Sequence, residues 1–433
     1  MMQGELSLPV PGVWVRRLAT IAGALAIASV PIFSSNKTLS FVPQVLAVLA
    51  LLGAFCSLFY RIPRIHLAIA AYLGLVAFWG ITLLWEPDLW QNYQTSLKIA
   101  ALTLTVHIVF RTKGQLLLLF AVYCSTSLIT LSLNWNELHS VSALADSEVL
   151  SDEDRFAGTF ANANTAGMYG VLVLLFALIT FFNTRSRWRW AVLLTGVAGL
   201  IVCYFSGSRK GMLGLGVVAL AAPWMAAVHS QTGRLNWLKG AAIAATALIL
   251  AAVAFSNLPF ADRLLITLKQ GIGAESSGQA RVDMLGRAFA LWTEHPFFGC
   301  GFDGFARESG FGVYSHTTFG EVLCNGGLVG ITLLGIYYLL PSIHMVGLLL
   351  RTMGTPGSRL FMGLLVFWGV FVLFSTFAVL LDSREYLAIY AAICGYVQEN
   401  RLAGIDEPEG VASLASGELE QDLEMELRDA RKC

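Results

Sequence analysis

A small set of side chains in this sequence has the types and spacing needed to move a group from a phosphorylated carrier to a hydroxyl. His316 stands in Tyr314-Ser315-His316-Thr317-Thr318-Phe319-Gly320-Glu321. A neutral imidazole, with a reference pKa of about 6.5, can take the proton of a sugar hydroxyl at physiological pH. Glu321, five residues on, is a weaker candidate partner, and a plain interface histidine beside lipid headgroups is the alternative reading. Arg209 and Lys210 lie in Ser206-Gly207-Ser208-Arg209-Lys210-Gly211, where a guanidinium fork would clamp a phosphate or pyrophosphate through charge-assisted bidentate bonds. An arginine at a span end otherwise snorkels into headgroups. Arg281, in Gln279-Ala280-Arg281-Val282-Asp283, and Arg287, six residues later, are further cations that also read as solvated loop charges. Asn162 and Asn164, within Gly158-Thr159-Phe160-Ala161-Asn162-Ala163-Asn164-Thr165-Ala166-Gly167, offer amides to a sugar or phosphate, against the alternative of a helix cap beside small packing residues. The other histidines have plainer settings: His66, His107, His229 and His344 fall at or near the inner ends of apolar runs, His295 precedes a proline, and His139 reads as surface.

These groups need a scaffold, and composition says which kind. The chain has 433 residues, 56% hydrophobic and only 13% charged, against roughly 25% charged in an average soluble domain. That balance speaks against a soluble multidomain enzyme. Helices are the economical form in hydrocarbon because each backbone amide pairs within its own segment, and about 12 spans of about 20 residues fit the apolar content. The expected fold class is all-α, a polytopic integral membrane protein, with spans near 18–36, 41–60, 64–84, 96–110, 115–133, 163–182, 190–206, 211–228, 238–256, 319–343, 360–380 and 385–399. The fourth and twelfth are short.

Basic residues in the short loops set the orientation. Arg16 and Arg17, Arg61 and Arg64, Arg111 and Lys113, Arg185 with Arg187 and Arg189, Arg234 and Lys239, and Arg351 with Arg359 fall on one side, which places both termini in the cytoplasm. Arg209 and Lys210 are the exception among the short outer turns. Residues 134–161 form an acidic outer loop, and residues 257–315 a large periplasmic loop within a transmembrane catalytic domain of residues 1–400. In the large loop, Val282, Leu285, Phe289 and Trp292 recur at helical spacing and predict an amphipathic helix over 280–294. Residues 295–305, with a helix stop, glycines and apolar anchors, read as a folded re-entrant or interface-lying turn. The tail, 401–433, carries nine acids against four basic residues and reads as a solvated acidic end, although Leu419, Leu423 and Leu427 have the spacing of a short surface helix.

Several classes fall away. The 28 Lys plus Arg balance the 28 Asp plus Glu, so no global basic field recruits nucleic acid. The seven cysteines are scattered without a close pair and support neither a disulfide framework nor a zinc site. No Walker-type loop, zinc motif or soluble nucleotide-binding segment is present, so energy must come from an activated substrate or a gradient.

Five stretches, taken in order, resemble the O-antigen ligase and polymerase superfamily of bacterial envelope glycosyltransferases. They are the Gly158 to Asn164 run, Ser208-Arg209-Lys210-Gly211, Ala280-Arg281-Val282-Asp283-Met284-Leu285, the Glu294-His295-Pro296-Phe297-Phe298-Gly299-Cys300-Gly301 turn, and His316 to Glu321 followed by Gly326-Gly327-Leu328-Val329-Gly330. The resemblance covers about residues 155–343; the remainder matches only by hydropathy. It implies transfer of a glycan from an undecaprenyl-pyrophosphate-linked donor to the lipid A core acceptor at the periplasmic face, with inversion and without metal or other cofactor. On that reading Arg209 and Arg281 hold the pyrophosphate and His316 activates the acceptor hydroxyl. Lys210, Arg287, Asn162, Asn164 and Glu321 are the expected substrate-binding residues, and membrane lipids are the surrounding partners. The chain departs from the pattern at Thr317, where asparagine is usual, and at Lys210, where a small residue is common. A polymerase of O-antigen or exopolysaccharide would use nearly the same chemistry, as would a protein O-oligosaccharyltransferase. A lipid or solute transporter would instead need inverted repeats, broken spans and midplane charges.

Overall fold

The computed structural model describes residues 11–33, 41–58, 63–84, 86–144, 155–160, 162–228 and 276–406. The ninth expected span, the first part of the large loop and the tail beyond residue 406 lie outside the described residues. Within them the chain is helical: α1 (Pro11–Phe33), α2 (Val42–Leu58), α3 (Leu67–Thr82), α4 (Trp90–Val109), α5 (Lys113–Leu133), α6 (Trp135–Leu144), α7 (Ala163–Asn183), α8 (Arg189–Ser206) and α9 (Arg209–Ala227) precede α10 (Ser276–Glu294), α11 (Gly304–Glu308), α12 (Thr318–Arg351), α13 (Gly357–Ser375) and α14 (Arg384–Asp406). Among the described residues, seven helices are long and apolar enough to cross a membrane: α1, α5, α7, α8, α9, α12 and α13. The protein is an all-α polytopic membrane protein.

The short fourth and twelfth spans expected from sequence are both longer helices, α4 and α14, and neither belongs to the seven. Packing explains why α14 tolerates polar residues. Tyr386 to Val397 are buried all round it, so that stretch faces protein and not lipid, and apolarity is not required of every position. Helix α7 is the other central element, packing against α5, α8, α9 and α13. Its approach to α8 is close because a Cβ on Gly170 would stand 2.4 Å from the Gly199 carbonyl oxygen. Small residues let membrane helices gain dispersion contacts where no hydrophobic drive operates between them.

Helix α12 departs from regular geometry. Gly327 has φ 58 and ψ −148 inside it, so one nominal 34-residue element is two helices joined at a break. A break strands backbone groups that hydrocarbon cannot satisfy, and here the 295–300 turn supplies the partners. Leu328 N donates to the Pro296 carbonyl (2.9 Å), Val329 N to the Phe297 carbonyl (3.2 Å), and Cys300 N donates to the Cys324 carbonyl (2.8 Å). Glycine is required on both sides of the contact. A Cβ on Gly327 would meet Phe297 backbone at 2.6 Å, and one on Gly299 would meet the Cys324 oxygen at 2.4 Å. The turn motif and the Gly-Gly motif, 26 residues apart in sequence, are thus two halves of one joint.

The large-loop helix begins earlier than expected, at Ser276, and uses a different face. Met284, Ala288 and Leu291 are its buried residues, clustered with Phe305 and Cys324 against α12. The Val282, Leu285 and Phe289 stripe that announced the helix is 48–55% exposed. Periodicity identified the helix; the shape of the α12 surface chose the narrower face.

Candidate functional site

One end of the bundle gathers the N-termini of α7, α9 and α12, the α13–α14 connection and the described part of the large loop. Ser208 caps α9 by accepting from Gly211 N (3.2 Å), and its hydroxyl donates to the Asn164 side-chain oxygen (3.3 Å). Gly167 lies against Ser206 and Ser208 so closely that an added Cβ would be 2.4 Å from Ser208 Cβ. Asn164 therefore fixes the turn that presents Arg209 and Lys210. Asn162 is the N-cap of α7, accepting from Thr165 N at 3.0 Å, which realises the capping alternative for that residue.

Arg209 is the first residue of α9, half-buried, with Lys210 beside it. The Lys210 ammonium donates to the Phe377 carbonyl in the α13–α14 connection. Thr318 ties the same connection to α12, donating to the Ala378 carbonyl (2.8 Å) and accepting from Leu380 N (3.0 Å). Arg281 heads the inward stripe of α10, three residues before buried Met284, and so points along the face that packs on the bundle. Arg287 is spent differently. It donates to the Glu308 carbonyl (3.0 Å) and lies 3.8 Å from Glu294, bracing α10 against α11.

His316 occupies the left-handed region, φ 59; it and Asp303 are the non-glycine residues with positive φ among the described residues. Such conformations persist only where surroundings over-determine them, and a buried polar chain does so here. Glu321 accepts from Ser315 N at 2.7 Å through one carboxylate oxygen and from the Asn325 amide at 2.9 Å through the other. Asn325 in turn accepts from Phe305 N at 2.8 Å. Glu321 thus holds the backbone next to His316 and is not its hydrogen-bond partner, which corrects the pairing expected from sequence: the carboxylate's two oxygens are taken up by the loop and by α12.

The imidazole packs edge-on against Tyr314, ring centroids 4.5 Å apart, and makes no hydrogen bond among the described residues. Its pKa lies below the ordinary histidine value because of burial, then because of the Arg281 and Lys210 charges. Those charges act on the imidazole from the first turn of α9 and from α10, so three expected site residues lie within electrostatic reach of one another. Asp382, in the α13–α14 connection, was not singled out from sequence. Its carboxyl reaches solvent but is hemmed in by protein, and burial followed by the Glu321 and Asp303 charges raises its pKa to about 6. Asn325 also escaped notice, because an asparagine inside an apolar run carries no motif of its own.

A metal-ligand set was not expected, yet one ligand atom from each of His295, Cys300 and Glu308 lies within 4.8 Å of the others. The set fits a divalent cation poorly: Glu308 already pairs with the Arg307 guanidinium at 3.1 Å, and that guanidinium also donates to the Cys300 carbonyl.

Residues 194–335 match the model of a family described as O-antigen ligase. Over that segment the chain is similar to an O-antigen ligase domain. The segment contains Arg209, Lys210, Arg281, Arg287, His316 and Glu321 and also the break in α12 at Gly327, whereas Asn162 and Asn164 precede it. Members of this family are glycosyltransferase-like enzymes. No curated protein matches the chain significantly. The broken helix is a feature that transporters also use, but its freed backbone groups here bond to the 295–300 turn, whereas in a transporter they line a substrate cavity.

Proposed function

We propose that this chain is an O-antigen ligase of a bacterial inner membrane, with both termini cytoplasmic and the site facing the periplasm. It transfers a glycan from undecaprenyl-pyrophosphate to a sugar hydroxyl of the lipid A core. The observation that carries the reading is the convergence of His316 with Arg281 and Lys210 at one end of the bundle, inside the family-matched segment.

The chemistry follows from the charges. The acceptor hydroxyl gives its proton to the neutral His316 imidazole while its oxygen attacks the anomeric carbon. The bond from that carbon to the pyrophosphate oxygen breaks, the carrier leaves as undecaprenyl pyrophosphate, and the configuration at the anomeric carbon is inverted in the product. Arg281, Arg209 and Lys210 meet the charge that develops on the leaving group, the electrostatic role a metal plays elsewhere. His316 suits the base role because burial, and then its cationic neighbours, lower its pKa and so favour the neutral imidazole. Asn164 acts one step back, through the Ser208 cap, and Glu321 through the Ser315 backbone.

The test is reconstitution of purified protein with an undecaprenyl-pyrophosphate-linked glycan and lipid A core, alongside His316→Ala. Glycan-bearing lipid A core from wild type and none from the variant is the expected result. Longer carrier-linked chains with no lipid A product would reassign the protein as a polymerase.

A further inference from the structure

The cysteines supply an inference that does not concern glycan transfer. Read along the chain they have no close pair, but folding brings Cys300 and Cys324 together, sulfur to sulfur at 3.9 Å. Their backbones already touch through the 2.8 Å bond from Cys300 N to the Cys324 carbonyl. Gly299 and Gly304 flank the contact and leave no Cβ in the way; one on Gly304 would fall 2.5 Å from Cys300 Cβ. A side-chain rotation that closes the sulfurs by about 2 Å reaches bonding distance.

We propose that Cys300 and Cys324 form a disulfide in the native membrane, clipping the 295–304 turn to the broken helix that carries Glu321 and Asn325. The proposal rests on the periplasmic placement of this end of the bundle, an oxidising compartment where disulfides persist. The oxidant is a disulfide-bearing protein of the thiol–disulfide exchange class. Cys300, the partly exposed member, attacks the donor disulfide as thiolate and releases one donor thiol. Cys324, buried behind it, then attacks the Cys300 sulfur and releases the second. Two thiol protons and two electrons pass to the donor, which ends as a dithiol. The competing use of the same sulfur, a divalent cation shared with His295 and Glu308, would have to displace Arg307 from Glu308. Cys124, Cys203 and Cys394 are buried elsewhere and Cys56 sits on α2, so Cys300 and Cys324 are the close pair among the described cysteines.

The experiment traps thiols with N-ethylmaleimide as cells are lysed, purifies the full chain from membranes, and maps peptides with and without reductant. The expected result is a peptide pair joined through Cys300 and Cys324, released by reductant and lost in Cys300→Ser. Reduction should also lower the unfolding temperature of wild type and leave the Cys300→Ser/Cys324→Ser double variant unmoved. Maleimide on both cysteines in native material overturns the proposal, as does one equivalent of zinc retained with both thiols reduced. In that event, treating the membranes with copper phenanthroline separates the causes. Crosslinking then leaves the geometry intact and shows the site facing a reducing compartment, while no crosslinking shows the sulfurs do not meet. Neither readout depends on glycan transfer, so failure of the ligase assignment remains separately visible.

Discussion

At the end of the bundle opposite His316, three histidines sit in series, His66 and His107 with both ring nitrogens committed and His344 joined to them through one. His66 caps α3 by accepting from Ala68 N (3.1 Å), and its other nitrogen meets His344 at 2.9 Å. His107 accepts from His66 N (3.1 Å), and its remaining nitrogen faces the Ala391 carbonyl at 3.2 Å. Because a backbone N–H can only donate, these contacts fix the tautomers: the His66 proton is on Nε2 and the His107 proton on Nδ1. His66 and His107 are fully buried, and a second proton on either would expel a backbone donor. His316 has the opposite arrangement, an aromatic neighbour, two cationic neighbours and no committed ring nitrogen among the described residues. One residue type thus serves as structural glue at one end and is left available for proton transfer at the other. The difference lies in whether its lone pair is already in use.

The sharpest break of that contrast is Arg281→Ala. It should lower transfer by about 10²–10³-fold, the usual loss for a preorganised charge-stabilising donor, with the unfolding temperature unchanged in detergent. Normal transfer would remove Arg281 from the site. Glu321→Gln should cost about tenfold in kcat, because only one acceptor oxygen remains for two donors, and about 1–3 kcal/mol of stability. Those losses should appear without a comparable change in KM for the carrier-linked donor, and an unchanged kcat would reduce Glu321 to packing.

At the other end, His107→Ala orphans the buried His66 N–H and should cost about 1–3 kcal/mol in stability, while the folded fraction keeps its kcat. A kcat loss matching that of an outer-end variant would erase the distinction between the two ends. The smallest effect is on pH. A lowered His316 pKa keeps the base form present below pH 6.5, so the acidic limb of kcat/KM should fall below that value. Lys210→Met removes a positive neighbour, so the imidazole protonates more readily and the limb should move to higher pH. A limb that stays in place would mean that His316 does not set it.

The legible parts of the molecule were those encoded locally. Hydropathy gave the all-α membrane class, and spans such as 115–133, 163–182 and 190–206 coincide with α5, α7 and α8 within a few residues. The His295 to Gly301 turn and the Gly326-Gly327 pair were visible as motifs, but their mutual docking was not, since a backbone hydrogen bond to a broken helix leaves no residue-type signature. Glu321 is visible in the sequence but its partner is not: i to i+5 spacing says nothing about a loop folding back over the helix start. Asn325, Asp382 and the Cys300–Cys324 contact were missed because each depends on segments far apart in the chain.

By itself, the sequence determined the solvent this protein lives in, the helical class that hydrocarbon enforces, and the inventory of cations, histidine and carboxylates from which a transfer site is built. Tertiary structure decided which of these share a space. Arg287 went to a brace, Asn162 to a cap and Glu321 to a loop clamp, while Lys210 and Arg281 were brought to bear on His316. The physical reason is that hydropathy and periodicity act over a few turns of chain and are summed residue by residue. The free lone pair of His316, by contrast, depends on how three separated helix N-termini and two connecting segments satisfy their own backbone groups first.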